Sequence, residues 1–285
     1  MPTRSNPGRG VSPPFPTSPQ AGVAPAKPAL EPRDVALCRS AIYEALALGF
    51  GPPTEETVTR LASVEAIAAL ADAVAWLDQV QGSNLAPLVR GLASVTDVDA
   101  LRSSFDRLFG HTARGLVPPY ETEYGEESVF QPIMEMSDLA AFYRAFGLAV
   151  VPSAHERSDH LSCECEFLAV LCRKEAYALE CHDQPMLEGT KRALRLFLRD
   201  HLGRWAPGFG KKVAREDPGG FFGALGLLCA EFMAHECRAA GVAAGPELLR
   251  LRSVQPPDLP MACGPSSQDE LLRIKMPASR SGPAR

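Results

Sequence analysis

The sequence predicts an all-α fold: a single-domain helical bundle of about nine to eleven helices with one long ordered loop, flanked by flexible termini. Apolar residues recur at helical spacing between Asp34 and Ala240. No segment reads as a strand, because 148–151 is short and ends at Pro152. Prolines crowd both ends of the chain and leave little apolar mass there to bury.

Periodicity, caps and breakers place the individual helices. They are expected at 34–50, in two pieces over 54–80 broken near Ser63, and at 84–93, 96–109, 138–146, 158–180, 184–202 and 220–240. Asp34, Ser137 and Ser158 are the expected N-caps of their helices, since short polar side chains accept hydrogen bonds from the first turn. Thr96 or Asp97 caps the helix that ends at Phe109.

Three regions follow from this organisation. Residues 1–32 are predicted to be a disordered, Pro-rich arm, 33–240 the helical domain, and 241–285 a largely irregular tail. The stretch 110–135 carries several breakers and is predicted to be irregular. Long ordered loops in compact domains usually carry function, so this loop is where a site is expected.

Charge and hydropathy exclude several classes of protein. The net charge is -5 and the pI about 5.7, with no basic stripe, so nucleic acid is not an expected partner. The apolar stretches, such as 221–230, fall well short of the roughly 20 residues that a spanning helix needs, so no stable membrane insertion is expected. No apolar region follows the basic N-terminus as it would in a secretory signal, which favours the cytoplasm.

Two tyrosines and two carboxylates form a Pro-bounded cluster in the loop. The segment Tyr120-Glu121-Thr122-Glu123-Tyr124 follows a pair of prolines. Tyrosines offer contact area at low entropic cost, and carboxylates pair bidentately with arginine, so the cluster suits peptide recognition. An ordered loop packed by its own tyrosines explains the same residues equally well.

A second polar cluster opens the helix expected at 158–180. Capping accounts for Ser158 and Asp159, but not for His160 beside them or Glu156 just outside. A histidine between carboxylates is an anchor for a cationic ligand. Hydrolysis by His160 with Asp159 or Glu156 is a further hypothesis, and it lacks a recognisable nucleophile.

The chain has eight cysteines, which motivate an alternative hypothesis of a metal or cofactor carrier. Cys163 and Cys165 point about 200° apart on a helix, and Cys165 lies roughly 10 Å along the axis from Cys172, so neither pair forms a site. The cysteines are therefore predicted to be reduced, buried small hydrophobes, and no metal site is predicted. The glycines at 208–210 have the wrong spacing for a phosphate loop.

Taken in order, these motifs resemble the TorD/DmsD/NarJ-type chaperones of molybdoenzymes, most closely the branch serving dimethyl sulfoxide reductase-type enzymes. The resemblance covers about 34–240. It is carried by Phe105-x-x-Leu108-Phe109, Tyr120-Glu121-x-Glu123-Tyr124-Gly125, Asp138-Leu139-Ala140-x-Phe142-Tyr143 and Glu156-x-x-Asp159-His160-Leu161. Arg157 stands where this family usually has proline.

The resemblance implies a non-catalytic protein with no cofactor of its own, either a monomer or a homodimer. Such a protein binds the twin-arginine signal peptide, or another N-terminal segment, of an apo-molybdoenzyme catalytic subunit and delays its export until molybdopterin is inserted. The implied acidic contacts are Glu121, Glu123, Glu156 and Asp159. The implied aromatic contacts are Tyr120, Tyr124 and Phe142, with His160 orienting the carboxylates or bonding peptide backbone.

Overall fold

The computed structural model describes residues 31–94, 97–110, 114–125, 131–150 and 157–252. Within these ranges ten α-helices follow one another, so the predicted all-α class is confirmed. They are α1 (Pro32–Phe50), α2 (Glu55–Thr57), α3 (Val64–Gln81), α4 (Ala86–Val89), α5 (Val98–Phe109), α6 (Gln131–Ala145), α7 (Leu161–Glu180), α8 (Gln184–Asp200), α9 (Leu202–Glu216) and α10 (Phe221–Ala239). Residues 1–30 of the predicted N-terminal arm, the end of the predicted tail beyond 252, and Glu156 lie outside the described residues.

Several helix ends agree with the sequence. Gly51 ends α1, and Ser63 separates two helices, its hydroxyl accepting a hydrogen bond from Ala66 N. Asp97 caps α5 by accepting from the backbone N–H of Asp99 and Ala100. These signals are local, which is why periodicity and capping suffice to find them.

Three predicted N-caps are wrong. Helix α1 begins at Pro32, so Asp34 lies inside its first turn, because proline suits the first helical position. Pro132 is the second residue of α6, which starts at Gln131; Ser137 is interior there and donates to the Ile133 carbonyl. Helix α7 starts at Leu161 with His160 as its cap rather than Ser158.

Helix α1 packs along α7 through small side chains. Buried Ser40 donates a hydrogen bond to the carbonyl of Ala169 across the interface, at 3.1 Å. Ala36 on α1 and Cys165 and Cys172 on α7 are also buried. These two cysteines thus serve as buried small hydrophobes, as predicted, and burial raises the pKa of Cys172 to about 12. The prediction is wrong for Cys181, which follows α7 and is exposed.

Helices α9 and α10 cross at two glycines. A Cβ on Gly210 would lie 2.3 Å from the carbonyl oxygen of Gly226, and a Cβ on Gly226 would lie 2.6 Å from that of Gly210. Sequence periodicity predicts that the preceding helix ends at Leu202 and assigns no element to 203–219. It missed α9 because glycines and Pro207 read as breakers, whereas here they allow close helix packing.

Pro207 also leaves a backbone carbonyl of α9 free to bind the residues that follow α10. Proline has no N–H to bond the carbonyl of Gly203 one turn earlier, and that carbonyl accepts instead from Gly245 N at 2.8 Å. We name residues 241–252 the C-terminal segment. It contains no helix, and its path along α9 carries it to the loop that holds the predicted site.

One hydrophobic core joins α1 to α10. It includes Phe105, Leu108 and Phe109, which the sequence places on one face of a helix, as expected for core residues. Phe109 contacts Phe50, Phe209 and Phe222, with ring centroids 5.2–6.2 Å apart.

No helix in the described part of the chain is both long enough and apolar enough to cross a membrane.

Candidate functional site

The predicted site is built on residues 118–125, which we name the acidic loop. One edge of the loop runs beside residues 157–160, the turn that leads into α7. The two segments are joined by two backbone hydrogen bonds of 2.9 Å, from Glu121 N to Asp159 O and from Leu161 N to Pro119 O. The two clusters that the sequence singled out are therefore adjacent and held in a fixed register.

The other edge of the acidic loop is bound by the C-terminal segment. Arg252 N donates to the Glu123 carbonyl at 2.8 Å, and Gly125 N donates to the Arg250 carbonyl at 3.3 Å. The Arg252 guanidinium also donates to the Thr122 carbonyl at 3.0 Å and pairs with Glu135 of α6. No local sequence signal pointed to Arg252, because its partners lie more than a hundred residues away.

Asp159 is fully buried and lies at the centre of the site. Its carboxylate accepts from both the backbone N–H and the hydroxyl of Thr122, at 3.2 and 2.7 Å. Arg157 completes the shell with Nε to Oδ1 at 3.0 Å and Nη2 to Oδ2 at 2.8 Å. Asp159 was predicted to open the helix near its dipole, but its charge is instead compensated by these donors.

His160 is buried and caps α7. Its Nδ1 accepts from Ser162 N at 3.1 Å, and its ring meets Tyr120 edge-on with centroids 5.1 Å apart. Burial, helped by the nearby positive charge of Arg157, lowers the pKa of His160 to about 3. The imidazole is therefore neutral at pH 7, as an N-cap acceptor must be.

His201, which the sequence reasoning missed, lies in the short break between α8 and α9. Nδ1 is 3.0 Å from Glu121 Oε2 and Nε2 is 3.1 Å from Asp138 Oδ2. Burial opposes a charged imidazole, yet these two carboxylates outweigh it and raise the pKa of His201 above its ordinary value. His201 thereby ties the acidic loop to α6.

Of the predicted contact residues, Glu121 and Tyr124 are buried. Burial raises the pKa of Glu121 even though His201 opposes this effect. Tyr124 stacks on Trp205 with centroids 5.6 Å apart, and its hydroxyl donates to the Pro118 carbonyl at 2.7 Å. These two side chains shape the loop from inside, as in the alternative of a loop packed by its own tyrosines.

Three other predicted contacts, Tyr120, Glu123 and Phe142, reach the surface. Glu123 is partly exposed and pairs with Arg114 at 2.8 Å. Tyr120 is partly exposed beside Arg157. Phe142 is half-buried and packs edge-on against Phe197 and His201. Each of these three side chains is therefore partly accessible to solvent.

An apolar groove opens beside the first turn of α7. Its volume is about 540 Å³, and its walls come from the end of α1, the stretch after α6 and the start of α7. Apolar walls include Leu48, Leu148 and Phe167, while Cys163 and Glu166 lie at the α7 side. Ser162 and Cys163, in the first turn of α7, line the groove. The two residues before this turn, Asp159 and His160, contact the acidic loop. The groove and the acidic loop therefore adjoin at the start of α7.

The cysteines and histidines do not gather into a metal site in the described ranges, where no three His, Cys, Asp or Glu side chains are grouped to hold an ion. The alternative of a metal carrier therefore has no supporting geometry in these residues.

A fully buried carboxyl, Glu164, lies behind the site; burial and the charges of Glu121 and Asp159 hold its pKa well above the usual range.

Comparison with known proteins agrees with this architecture. A perchlorate reductase assembly chaperone protein of Dechloromonas aromatica (strain RCB) is 29% identical over 205 residues, covering 70% of this chain and 88% of that protein. Chaperone protein TorD of Vibrio cholerae serotype O1 (strain M66-2) is 27% identical over 205 residues, 68% of this chain and 88% of TorD. A selenate reductase assembly chaperone protein of Thauera selenatis matches locally, at 37% over 82 residues.

The helical fold and these relatives define the class as redox-enzyme assembly chaperones. The family model described as nitrate reductase delta subunit matches residues 64–210, and the chain belongs to this family. The predicted kinship with TorD/NarJ-type molybdoenzyme chaperones is thereby confirmed. A closer relation to the branch serving dimethyl sulfoxide reductase-type enzymes stays a prediction.

Proposed function

We propose that this protein is a non-catalytic maturation chaperone that binds the twin-arginine signal peptide, or the N-terminal segment, of an apo-molybdoenzyme catalytic subunit. The observation that carries the proposal is the junction of the acidic loop with the apolar groove at the start of α7. A signal of this type has two guanidinium groups followed by an apolar, helix-prone run. Its two parts match the two parts of the site in chemistry.

The arginine end of the peptide is assigned to the acidic loop. Glu123 and Tyr120 are its partly exposed acidic and aromatic contacts, because a guanidinium pairs with a carboxylate and stacks on a ring. Glu121, Asp159, His160 and Tyr124 act from beneath by fixing the shape and charge of the loop. Phe142 contributes from α6, and Glu156 remains a predicted acidic contact.

The apolar run is assigned to the groove. A helix of the peptide laid against Leu48, Leu148 and Phe167 would bury apolar surface on both partners. The proposal requires only one copy of the chain for each peptide, so it holds for a monomer or a homodimer.

The client is proposed to be the molybdopterin-binding subunit of a reductase, a class suggested by the enzymes for which the relatives are named. The chaperone acts in the cytoplasm, where it covers the signal until the cofactor is inserted and thereby delays export. It needs no cofactor of its own for this role. The net charge of -5 favours a cationic peptide over nucleic acid.

Titration calorimetry with a peptide of two adjacent arginines and an apolar run tests the proposal. We expect Leu148→Glu, which places a carboxylate in the groove, and Glu123→Lys each to weaken binding about tenfold, or ~1.4 kcal/mol. Leu227→Glu is the matched control, since Leu227 is 42% exposed on α10 and does not line the groove. Failure of the unaltered protein to bind the peptide, or equal loss in the control, contradicts the proposal.

A further inference from the structure

The guanidinium of Arg157 lies in a site that has the chemistry of an arginine receptor. It pairs side-on with Asp159, through Nε to Oδ1 at 3.0 Å and Nη2 to Oδ2 at 2.8 Å. Two parallel N–H···O bonds to one carboxylate are the strongest and most specific way in which proteins hold arginine.

The acidic loop supplies further contacts to the guanidinium. Nη2 donates to Thr122 Oγ1 at 2.5 Å, and Nη1 is 3.9 Å from Glu123 Oε1. The central guanidinium carbon lies 4.6 Å from the centroid of the Tyr120 ring, close enough for a cation–π contact. Lysine could not reproduce this set, because an ammonium has neither the planar face nor the fork.

The receptor does not depend on Arg157 for its shape. Its walls are held by the main-chain bonds between the acidic loop and residues 157–160, and Thr122 holds the Asp159 carboxylate through two hydrogen bonds of its own. The Arg157 side chain is 44% exposed, whereas Asp159 is fully buried. The occupant can therefore leave towards solvent while the site stays in place.

We propose that Tyr120, Thr122, Glu123 and Asp159 form a guanidinium-binding site that Arg157 fills in the free chaperone and that one arginine of the client takes over when Arg157 is displaced. This inference rests on the proposed function for the identity of the client. Arg157 then acts as an internal competitor. The apparent affinity for an arginine peptide is lowered by the fraction of time for which the site is self-occupied.

Chemical rescue tests the site without any client. Arg157→Ala should lower the Tm by about 2–4 °C, and low millimolar methylguanidinium should restore part of that loss whereas methylammonium at equal concentration should not. Arg107→Ala is the control, since Arg107 is similarly exposed, at 47%, and pairs with Asp217 away from the loop. If Arg157→Ala does not fold, the same test is made on Arg157→Gln, whose side-chain amide can still donate a hydrogen bond to the Asp159 carboxylate. Absence of a guanidinium-selective rescue in a folded variant overturns the site.

Peptide binding then tests the displacement. Emptying a site that is self-occupied nine-tenths of the time should make Arg157→Ala bind the twin-arginine peptide about tenfold more tightly, with a smaller gain for the same peptide carrying two lysines. Equal affinity of the two proteins overturns displacement by the client but leaves the proposed function standing. If the unaltered protein fails to bind while methylguanidinium still rescues, the proposed function fails and the guanidinium site remains.

Discussion

The surroundings of two histidines in the site shift their pKa values in opposite directions. His160 is buried against Tyr120 beside a cationic guanidinium, so its ring stays neutral. His201 is equally buried but lies between two carboxylates, which favour the imidazolium. Burial therefore determines the direction of the pKa shift of His160, and the charge of the partner carboxylates determines that of His201. This is expected where desolvation and ion pairing compete.

The buried neutral state of His160 should appear as a loss of stability in acid. Its folded pKa of about 3 lies below the ordinary 6.5, so its contribution is present above pH 6.5 and is lost as the pH falls towards 3. His160→Asn keeps a cap acceptor but cannot titrate. We expect the variant to match the unaltered protein at pH 7 and to gain about 2 kcal/mol on it at pH 5.

Urea unfolding at the two pH values measures this difference. A constant gap between the two proteins from pH 7 to pH 5 would show that His160 titrates normally in the fold.

At the scale of elements, the crossing of α9 and α10 depends on the absence of side chains. Gly210 and Gly226 face each other's carbonyl oxygens, so the two backbones approach more closely than any Cβ permits. The neighbouring Gly208 serves the other side of α9, where a Cβ would lie 2.4 Å from the Pro246 carbonyl oxygen. One helix is thus packed closely on two faces by alternate glycines.

Gly210→Ala should destabilise the protein by about 2–3 kcal/mol, because the added methyl meets backbone that can move only if the helices separate. Gly189→Ala is the matched control. Gly189 lies within α8 with nothing near its Cβ position, so alanine there should stabilise by about 0.5–1 kcal/mol through helix propensity. Thermal and urea unfolding measure both; similar effects of the two substitutions would contradict the close crossing.

At the scale of the whole molecule, the C-terminal segment couples α9 to the acidic loop. It is anchored on the Gly203 carbonyl through Gly245, where a Cβ would lie 1.8 Å from the Arg204 carbonyl oxygen. Its far end bonds the loop backbone at Glu123. The site is therefore supported by a segment that contributes no helix to the bundle.

Truncation after Gly241 should release the outer edge of the acidic loop while the helical core persists. Amide hydrogen exchange of Gly125, whose N–H bonds the Arg250 carbonyl, should accelerate at least about tenfold, since an exposed donor loses its protection. A chain ending at Arg252 keeps the segment and is the control. Unchanged exchange in the shorter chain would mean that the segment does not hold the loop.

The parts of the fold that local sequence could predict are those governed by local physics. The stripe of Phe105, Leu108 and Phe109 and the stop at Gly51 follow from helical spacing and backbone preference. Helix α9 could not be predicted in this way, because Pro207 and Gly210 disfavour an isolated helix. Their presence is explained only by the contacts of α9 with α10 and with the C-terminal segment.

The site divides in the same way. Its loop and helix-entry residues stood out as motifs, but their burial did not, because Asp159 and Glu121 read as surface carboxylates until their partners are known. His201 and Arg252 lie 80 and 130 positions from the loop residues they bond, and periodicity within a window of some 18 residues cannot register such contacts.

The position of the C-terminal segment also has a consequence for synthesis. The loop closes against Asp159 on one edge and against Arg252 on the other, so its contacts span much of the polypeptide. Contacts of high sequence separation form late in folding. A ribosome-bound chain that has not yet released Arg252 therefore lacks the contacts that hold one edge of the acidic loop, and on the proposed function it should capture a client only after Arg252 has been released.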